Sequence, residues 1–277
     1  MPERQLPIRL TPSLKLALIC FALPLLLVVI ALLHGQNGHR VDLNAVLAGM
    51  SFAHPLGCDD LGRDVLARLA EAIRLSLGVG FGVITLAGII GISLGVASGW
   101  YGGWVDALLM RLADIVLSFP GILLAIAMAA MLGPSVENIV YALVVVGWVG
   151  FARLARGQVL SLKHAPFIEA SFAAGSGFFF QMTRHLLPNI AAPLLVEASF
   201  GLAAVIIGEA GLSFLGVGVQ PPAASLGTMI REGTNLMLVA PAQVVWPGLV
   251  LFLLVMGVNI LGDALRDHLD VRREVGR

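Results

Sequence analysis

Stretches of about 20 predominantly apolar residues recur along this chain, and no other feature limits its fold so tightly. They fall roughly at 14–33, 73–98, 109–132, 138–160, 190–217 and 243–263. A helix of that length crosses the ~30 Å hydrocarbon core of a bilayer. Inside hydrocarbon the backbone polar groups must be satisfied within the segment itself, which favours helices. An all-α integral membrane protein with six transmembrane helices is therefore expected. Composition agrees: 58% of the 277 residues are hydrophobic, only 12% are charged, and the mean hydropathy is +0.94. Those values lie far outside the soluble range. The formal net charge is zero, so there is no basic footprint for a nucleic acid.

Basic residues orient the spans. Arg4, Arg9 and Lys15 precede the apolar run 16–33. That outline also fits a signal peptide, but the run is about 18 residues, longer than a usual signal core. No small-x-small cleavage site follows it, so it reads as a retained first helix. With the N-terminus cytoplasmic, the inside holds Arg4, Arg9, Lys15, Arg111, Arg153, Arg156, Lys163, Arg184, Arg266, Arg272, Arg273 and Arg277. The outside holds Arg40, Arg63, Arg68, Arg74 and Arg231. The excess of inside charge supports this orientation, with both termini cytoplasmic. Residues 1–71 then form an N-terminal membrane helix and external loop, and 72–277 a core domain with a cytoplasmic loop at 161–189. Within the external loop, Val65, Leu66, Leu69 and Ile73 follow Asp64, a good N-cap, at helical spacing. They predict an amphipathic helix lying at the outer interface. A second external region, 218–242, is opened by Pro221-Pro222.

What the chain lacks is also informative. There is no Gly-x-x-x-x-Gly-Lys-Ser/Thr, and neither of its lysines, Lys15 and Lys163, follows a glycine. A P-loop ATPase is thereby excluded, so ATP-driven transport needs a motor on another chain. Gly91-Ile92-Ser93-Leu94-Gly95 matches the serine-nucleophile pattern. An intramembrane protease would also need a histidine at that depth, and all six (His34, His39, His54, His164, His185 and His268) fall in loops or the tail. Gly91, Gly95 and Gly99 instead form a stripe that lets helices approach closely, within this subunit or against another. Cys20 and Cys58 are expected at different depths, as free thiols, and no Cys/His cluster has metal-ligand spacing.

Acidic residues inside apolar spans are expensive and call for a reason. Arg111 and Asp114 share a helix face beside Asp106 and form a feasible ion pair. Glu209 and Glu197, with Ser213, are candidates for a translocation or gating path. An ion-coupled secondary transporter would use the same two glutamates. No internal repeat is evident, which counts mildly against that class.

The segment between the fourth and fifth spans carries Glu169-Ala170-Ser171, then Gly175, then Leu187-Pro188. Pro166 suits the first turn of a short helix, and Gly175 suits a left-handed C-terminal cap. Taken alone, such a helix is a surface hairpin; tied to two spans, it is a lever. The pattern resembles the coupling loop of bacterial ABC-importer permeases.

Further segments resemble the dipeptide, oligopeptide and nickel importer family. They are His54-Pro55-Leu56-Gly57-Cys58-Asp59-Asp60-Leu61-Gly62-Arg63-Asp64, Gly102-Gly103-Trp104-Val105-Asp106 continuing to Met110-Arg111, Asp114 and Leu117-Ser118-Phe119-Pro120, Arg184-His185-Leu186-Leu187-Pro188-Asn189, Leu212-Ser213-Phe214 through Pro222, and Trp246-Pro247-Gly248 with Gly262-Asp263-Ala264-Leu265-Arg266-Asp267-His268-Leu269-Asp270. They run in the expected order from about residue 54 to the end. Cys58 stands where the family usually has threonine, Ala67 where it has serine, and Leu226 where it has tryptophan. Ser171 replaces the second alanine of the coupling motif.

The resemblance implies a type I permease, the second or C-type member of a pair, in the cytoplasmic (inner) membrane. Its partners would be another permease, two ATPase subunits that hold ATP and Mg, and an extracytoplasmic binding protein. This chain would bind no cofactor of its own. Glu169, Ala170, Ser171, Gly175, Leu187 and Pro188 would couple it to the ATPase. Asp59, Gly62, Arg63 and Asp64 have two readings, a docking surface for the binding protein or a helix cap with a local ion pair. Peptide is the first expectation for cargo. Nickel or a metal chelate is second, although one tail histidine, His268, makes no metal site.

Overall fold

The structure is a computed structural model that describes residues 12–35 and 37–275, with side chains described for 15–35 and 37–267. Arg4, Arg9 and Arg277 lie outside the described residues, as do the side chains of His268, Leu269, Asp270, Arg272 and Arg273. Among the described residues the architecture is helical throughout, with only an isolated bridge between Cys58 and Asp64. Helix α1 covers Pro12–His34, α2 Val65–Tyr101, α3 Gly103–Leu117, α4 Gly121–Leu132 and α5 Val136–Leu162. Then come α6 (Pro166–Ala173), the short α7 (Phe178–Phe180), a π-helical turn (Gln181–Leu186) and α8 (Leu187–Phe214). Helices α9 (Leu226–Thr234) and α10 (Ala242–Val275) complete the chain.

Among the described residues five helices are long and apolar enough to cross a membrane, and a bent pair supplies a sixth passage if taken together. The expected third span, 109–132, is that pair: α3 and α4 meet at 84°. Its break is Ser118-Phe119-Pro120, where Pro120 caps α4. Proline cannot donate to the preceding turn and pushes the residue before it out of helical geometry.

The helix expected to lie on the outer interface is corrected too. Val65, Leu66, Leu69 and Ile73 are the first turns of α2, and all four are buried. They pack with Val28 and Ala31 of α1, Leu226 and Met229 of α9, and Val250 and Leu254 of α10. At 37 residues, α2 extends about 55 Å, well beyond the ~30 Å core, and its N-terminal end is coated by protein. The expected domain boundary at 71/72 therefore falls inside α2, and the N-terminal segment packs into the rest of the chain.

Helix α5 lies against α2 through the glycine stripe. A Cβ added at Gly91 or Gly95 would collide with the carbonyl oxygens of Trp148 or Ala152, and one at Gly99 would meet Val159. The stripe thus serves packing within this subunit, where close backbone approach replaces the hydrophobic drive that lipid removes. Ser93 lies on this packed helix.

Candidate functional site

Helix α6 follows α5 after a three-residue link, Lys163-His164-Ala165. Pro166 occupies its first turn, where a missing N–H costs nothing. Its end is a Schellman motif. The Ser176 N–H donates to the Ser171 carbonyl (3.2 Å), and the Gly175 N–H to the Phe172 carbonyl (2.8 Å). Gly175 sits at φ +84°, the conformation that favours glycine. Ile168 is fully buried and anchors the helix, while Glu169, Ala170 and Gly175 face outward and Ser171 is half-buried. Leu187 and Pro188 are exposed on the first turn of α8, so they continue the following span and do not belong to the loop.

Two features of this region escaped sequence reasoning. Ser176 Oγ donates to the Ser171 carbonyl (2.6 Å) and pairs with Ser171 Oγ (2.7 Å), while the buried Gln181 Nε2 donates to Ser176 Oγ (2.7 Å). The serine in place of alanine at 171 thus ties the end of α6 to the π-helical turn. Aromatic contacts fix the same region to the C-terminal end of α2. Trp100 stacks on Phe172 with centroids 5.7 Å apart and meets Phe178 edge-on at 5.5 Å, and Tyr101 stacks on Phe178 at 5.8 Å. The phenylalanine run at 178–180 was the available signal, but its partners are nearly 80 residues away.

The motif at 54–64 folds into a buried ion network. Asp59 accepts from the Arg63 N–H (2.8 Å), Arg63 Nε (2.7 Å) and Arg68 Nη1 (2.6 Å), and Arg68 also reaches Glu232 of α9 (2.9 Å). Asp64 caps α2 by accepting from the Ala67 N–H (2.7 Å), and His54 Nδ1 lies 2.9 Å from its other oxygen. Gly62 has φ +72° and presses on the Asp42 carbonyl. Asp59, Arg63 and Asp64 are 3%, 6% and 4% exposed. Burial withdraws these side chains from direct docking and favours the cap and ion-pair reading. Gln243 Nε2 donates to the Cys58 carbonyl (2.8 Å), so the loop is also sewn to α10. Burial, then the carboxylates of Asp64, Asp59 and Asp42, pushes the Cys58 thiol above its ordinary range. Both cysteines are free.

Glu209 is fully buried. Ser76 Oγ of α2 donates to its Oε2 (2.7 Å) and Ser213 Oγ to its Oε1 (2.9 Å), while the Val219 N–H donates to Ser213 Oγ (3.2 Å). Glu209 and Ser213 therefore form a node that binds α2, α8 and the following loop. In this conformation they line no open path. Glu197 is half-buried and lies over Gly150 of α5, whose missing Cβ leaves room for the carboxylate. The expected Arg111–Asp114 pair is replaced. Arg111 is exposed, Asp114 pairs with Arg153, and Asp106 pairs with Arg156. The pairing helix face belongs to α5, which spacing within α3 could not reveal. No group of three or more metal-ligating side chains comes together among the described residues.

Comparison with known proteins agrees with this arrangement. A family model described as "binding-protein-dependent transport system inner membrane component" matches residues 91–275. The chain is 44% identical over 224 residues to a dipeptide transport system permease protein, DppC, of Alkalihalophilus pseudofirmus, covering 81% of this chain and 74% of that protein. It is 41% identical over 229 residues to a glutathione transport system permease protein, GsiD, of Pectobacterium atrosepticum, covering 83% of this chain and 76% of that one. In fold it is similar to a chain of the MetNI methionine ABC transporter in an inward-facing conformation, with a TM-score of 0.60 at 20% identity over 73% of this chain and 95% of the other. With the helical spans, the matched region and the relatives all in accord, this chain belongs to the family of inner membrane components of binding-protein-dependent transport systems, as a multi-pass permease subunit of an ABC importer.

Proposed function

We propose that this chain forms half of the translocation pore of an ATP-driven importer of dipeptides and short oligopeptides. The observation that carries the mechanism is α6: a short helix, closed at its C-terminal end by a Schellman motif, that exposes Glu169 and Ala170 and is joined to α5 by three residues. A rigid helix with one buried anchor and one free face suits docking into a groove of another protein. The partner is an ATPase subunit, two per complex, which holds the ATP and Mg. A second permease completes the pore, and an extracytoplasmic binding protein delivers the cargo. Both termini and α6 lie on the cytoplasmic side, in keeping with the distribution of arginine and lysine.

Closure of the ATPase pair pushes α6, and α5 and the inner end of α2 follow through the link and the aromatic cluster. The two orientations of the pore are then two states whose balance ATP shifts. The peptide assignment draws on the relatives, which are named for dipeptide and glutathione transport. The test is uptake of labelled dipeptide by the reconstituted complex. Gly175→Pro removes the Gly175 N–H bond and imposes a negative φ at a position held at +84°; Glu169→Lys inverts the charge of the docking face. Each lowers uptake by about tenfold or more if binding energy at α6 drives the transition, while the binding protein's affinity for peptide stays unchanged. Full uptake in both variants overturns the coupling role.

A further inference from the structure

Helix α3 is attached to the rest of the protein in an unusual way. Ala113 is its one buried residue among those described, so apolar packing holds it weakly. What ties it to α5 is a pair of ion pairs of different character.

The first joins Asp106 to Arg156 through two contacts, Nε to Oδ1 and Nη2 to Oδ2 (2.7 Å), and Ser98 Oγ of α2 also donates to Asp106 Oδ1. The second joins Asp114 to Arg153 through a single contact from Nη2 to Oδ1. Its side chains are 63% and 49% exposed, against 21% and 33% for the first pair. It borders an open cavity of about 350 Å³ lined by Met110, Asp114, Arg153 and Arg156.

A two-contact pair held by a third residue is geometrically fixed. A single, half-exposed pair contributes little net stability. Charges on an exposed face of a membrane helix are costly against lipid, so this face needs water or protein beside it. Register adds a second difference. The eight residues from 106 to 114 rise about 12 Å along α3, while the three from 153 to 156 rise about 4.5 Å along α5. The second pair therefore lies about 12 Å along α3 from the first, so a tilt of α3 about the first pair displaces it. Helix α3 leads through the break at Ser118-Phe119-Pro120 into α4 at 84°, so tilting α3 swings α4 as well.

We propose that Asp106–Arg156 is a fixed pivot and Asp114–Arg153 a releasable latch, through which α5, moved by the coupling helix, swings the α3–α4 arm during transport. Asp114 and Arg153 are positioning residues in this scheme. It rests on the assignment of α6 as the ATPase contact.

The test uses the whole complex in proteoliposomes, with Cys20→Ala and Cys58→Ser as background. Asp114→Cys and Arg153→Cys are joined by a short, reducible bis-methanethiosulfonate linker. Bridging lowers ATP-driven peptide uptake by about tenfold or more and reductant restores it, while the same bridge at Asp106→Cys and Arg156→Cys, replacing the pivot it removes, leaves uptake within about twofold of the unbridged value, as expected when only one of the two points must open. Undiminished uptake with the latch bridged, or equal arrest at both positions, overturns the proposal.

Loss of the latch charges could itself slow transport, so the exchanged pair Asp114→Arg with Arg153→Asp provides a second measurement. Recovery of cargo-stimulated ATP hydrolysis above the level of Asp114→Arg alone supports the latch; no recovery counts against it. A wild-type complex that takes up no peptide bears on the cargo assignment alone. The bridge is then read on ATP hydrolysis, with the same arrest and reversal expected.

Discussion

At the scale of single residues, Glu209 separates a structural role from a transport role. Its two carboxylate oxygens each accept one serine hydroxyl, from Ser76 and Ser213, in a site without solvent exposure. Removing the acceptor leaves two buried hydroxyls without their partner, at about 1–3 kcal/mol for each group left unsatisfied. Glu209→Leu should therefore lower the thermal unfolding temperature of the detergent-solubilised complex sharply. Glu209→Gln keeps a carbonyl acceptor, and the serines can rotate to accept from its amide, so its loss should be smaller. A Glu209→Leu complex as stable as wild type but without uptake would return Glu209 to the translocation path. The acid inside an apolar span was legible in the sequence as an anomaly. Its resolution was not, because Ser76 lies 133 residues earlier and a serine in a membrane helix carries no local signal. Asp64 is the opposite case: a cap bonds to its own helix within three residues, so local spacing was sufficient.

At the scale of elements, periodicity and composition located every span but not how the spans end or bend. Hydropathy averages over a window, so it passed over the three-residue break at Ser118-Phe119-Pro120 and stopped α2 at the membrane edge. The first turns of α2 carry Arg68, Glu71 and Arg74, and that polarity made them look interfacial. In the folded chain Arg68 is neutralised by Asp59 and Glu232, a partnership no short window contains. The glycine stripe was legible as a packing surface, and the structure adds its partner, α5. Gly95→Leu should force α2 and α5 apart, because the added side chain meets the Ala152 backbone, which has no rotamer to yield. Overpacking of this kind costs about 1–3 kcal/mol or more. Gly78→Ala, with nothing within 4 Å of the added carbon, should be silent. The yield of monodisperse protein after membrane extraction checks both; equal yields would mean that the α2–α5 seam can open without loss.

At the scale of the whole molecule, α2 is the ruler. Its first turn carries the Asp59–Arg68–Glu232 network and its last carries Trp100 and Tyr101, against which Phe172 of α6 and Phe178 pack. About 55 Å separates those ends, and only ~30 Å of that is hydrocarbon. The ion network and α6 must then lie on opposite sides of the membrane, whichever way the chain is inserted. The proposed direction rests on the distribution of the basic residues, and it decides whether α6 can meet an ATPase at all. Two exposed phenylalanines report on it. Phe52, in the loop after α1, is fully exposed, and Phe179, just past α6, is 80% exposed. The native thiols give little background, since Cys20 and Cys58 are buried. In intact cells stripped of their outer envelope, a membrane-impermeant maleimide should label Phe52→Cys and leave Phe179→Cys untouched. Detergent permeabilisation should then expose Phe179→Cys. The reverse pattern would put the arginine-rich ends outside and the coupling helix out of reach of ATP. Labelling of both in sealed cells would mean that α2 does not span the bilayer, and the six-passage architecture would fall with it.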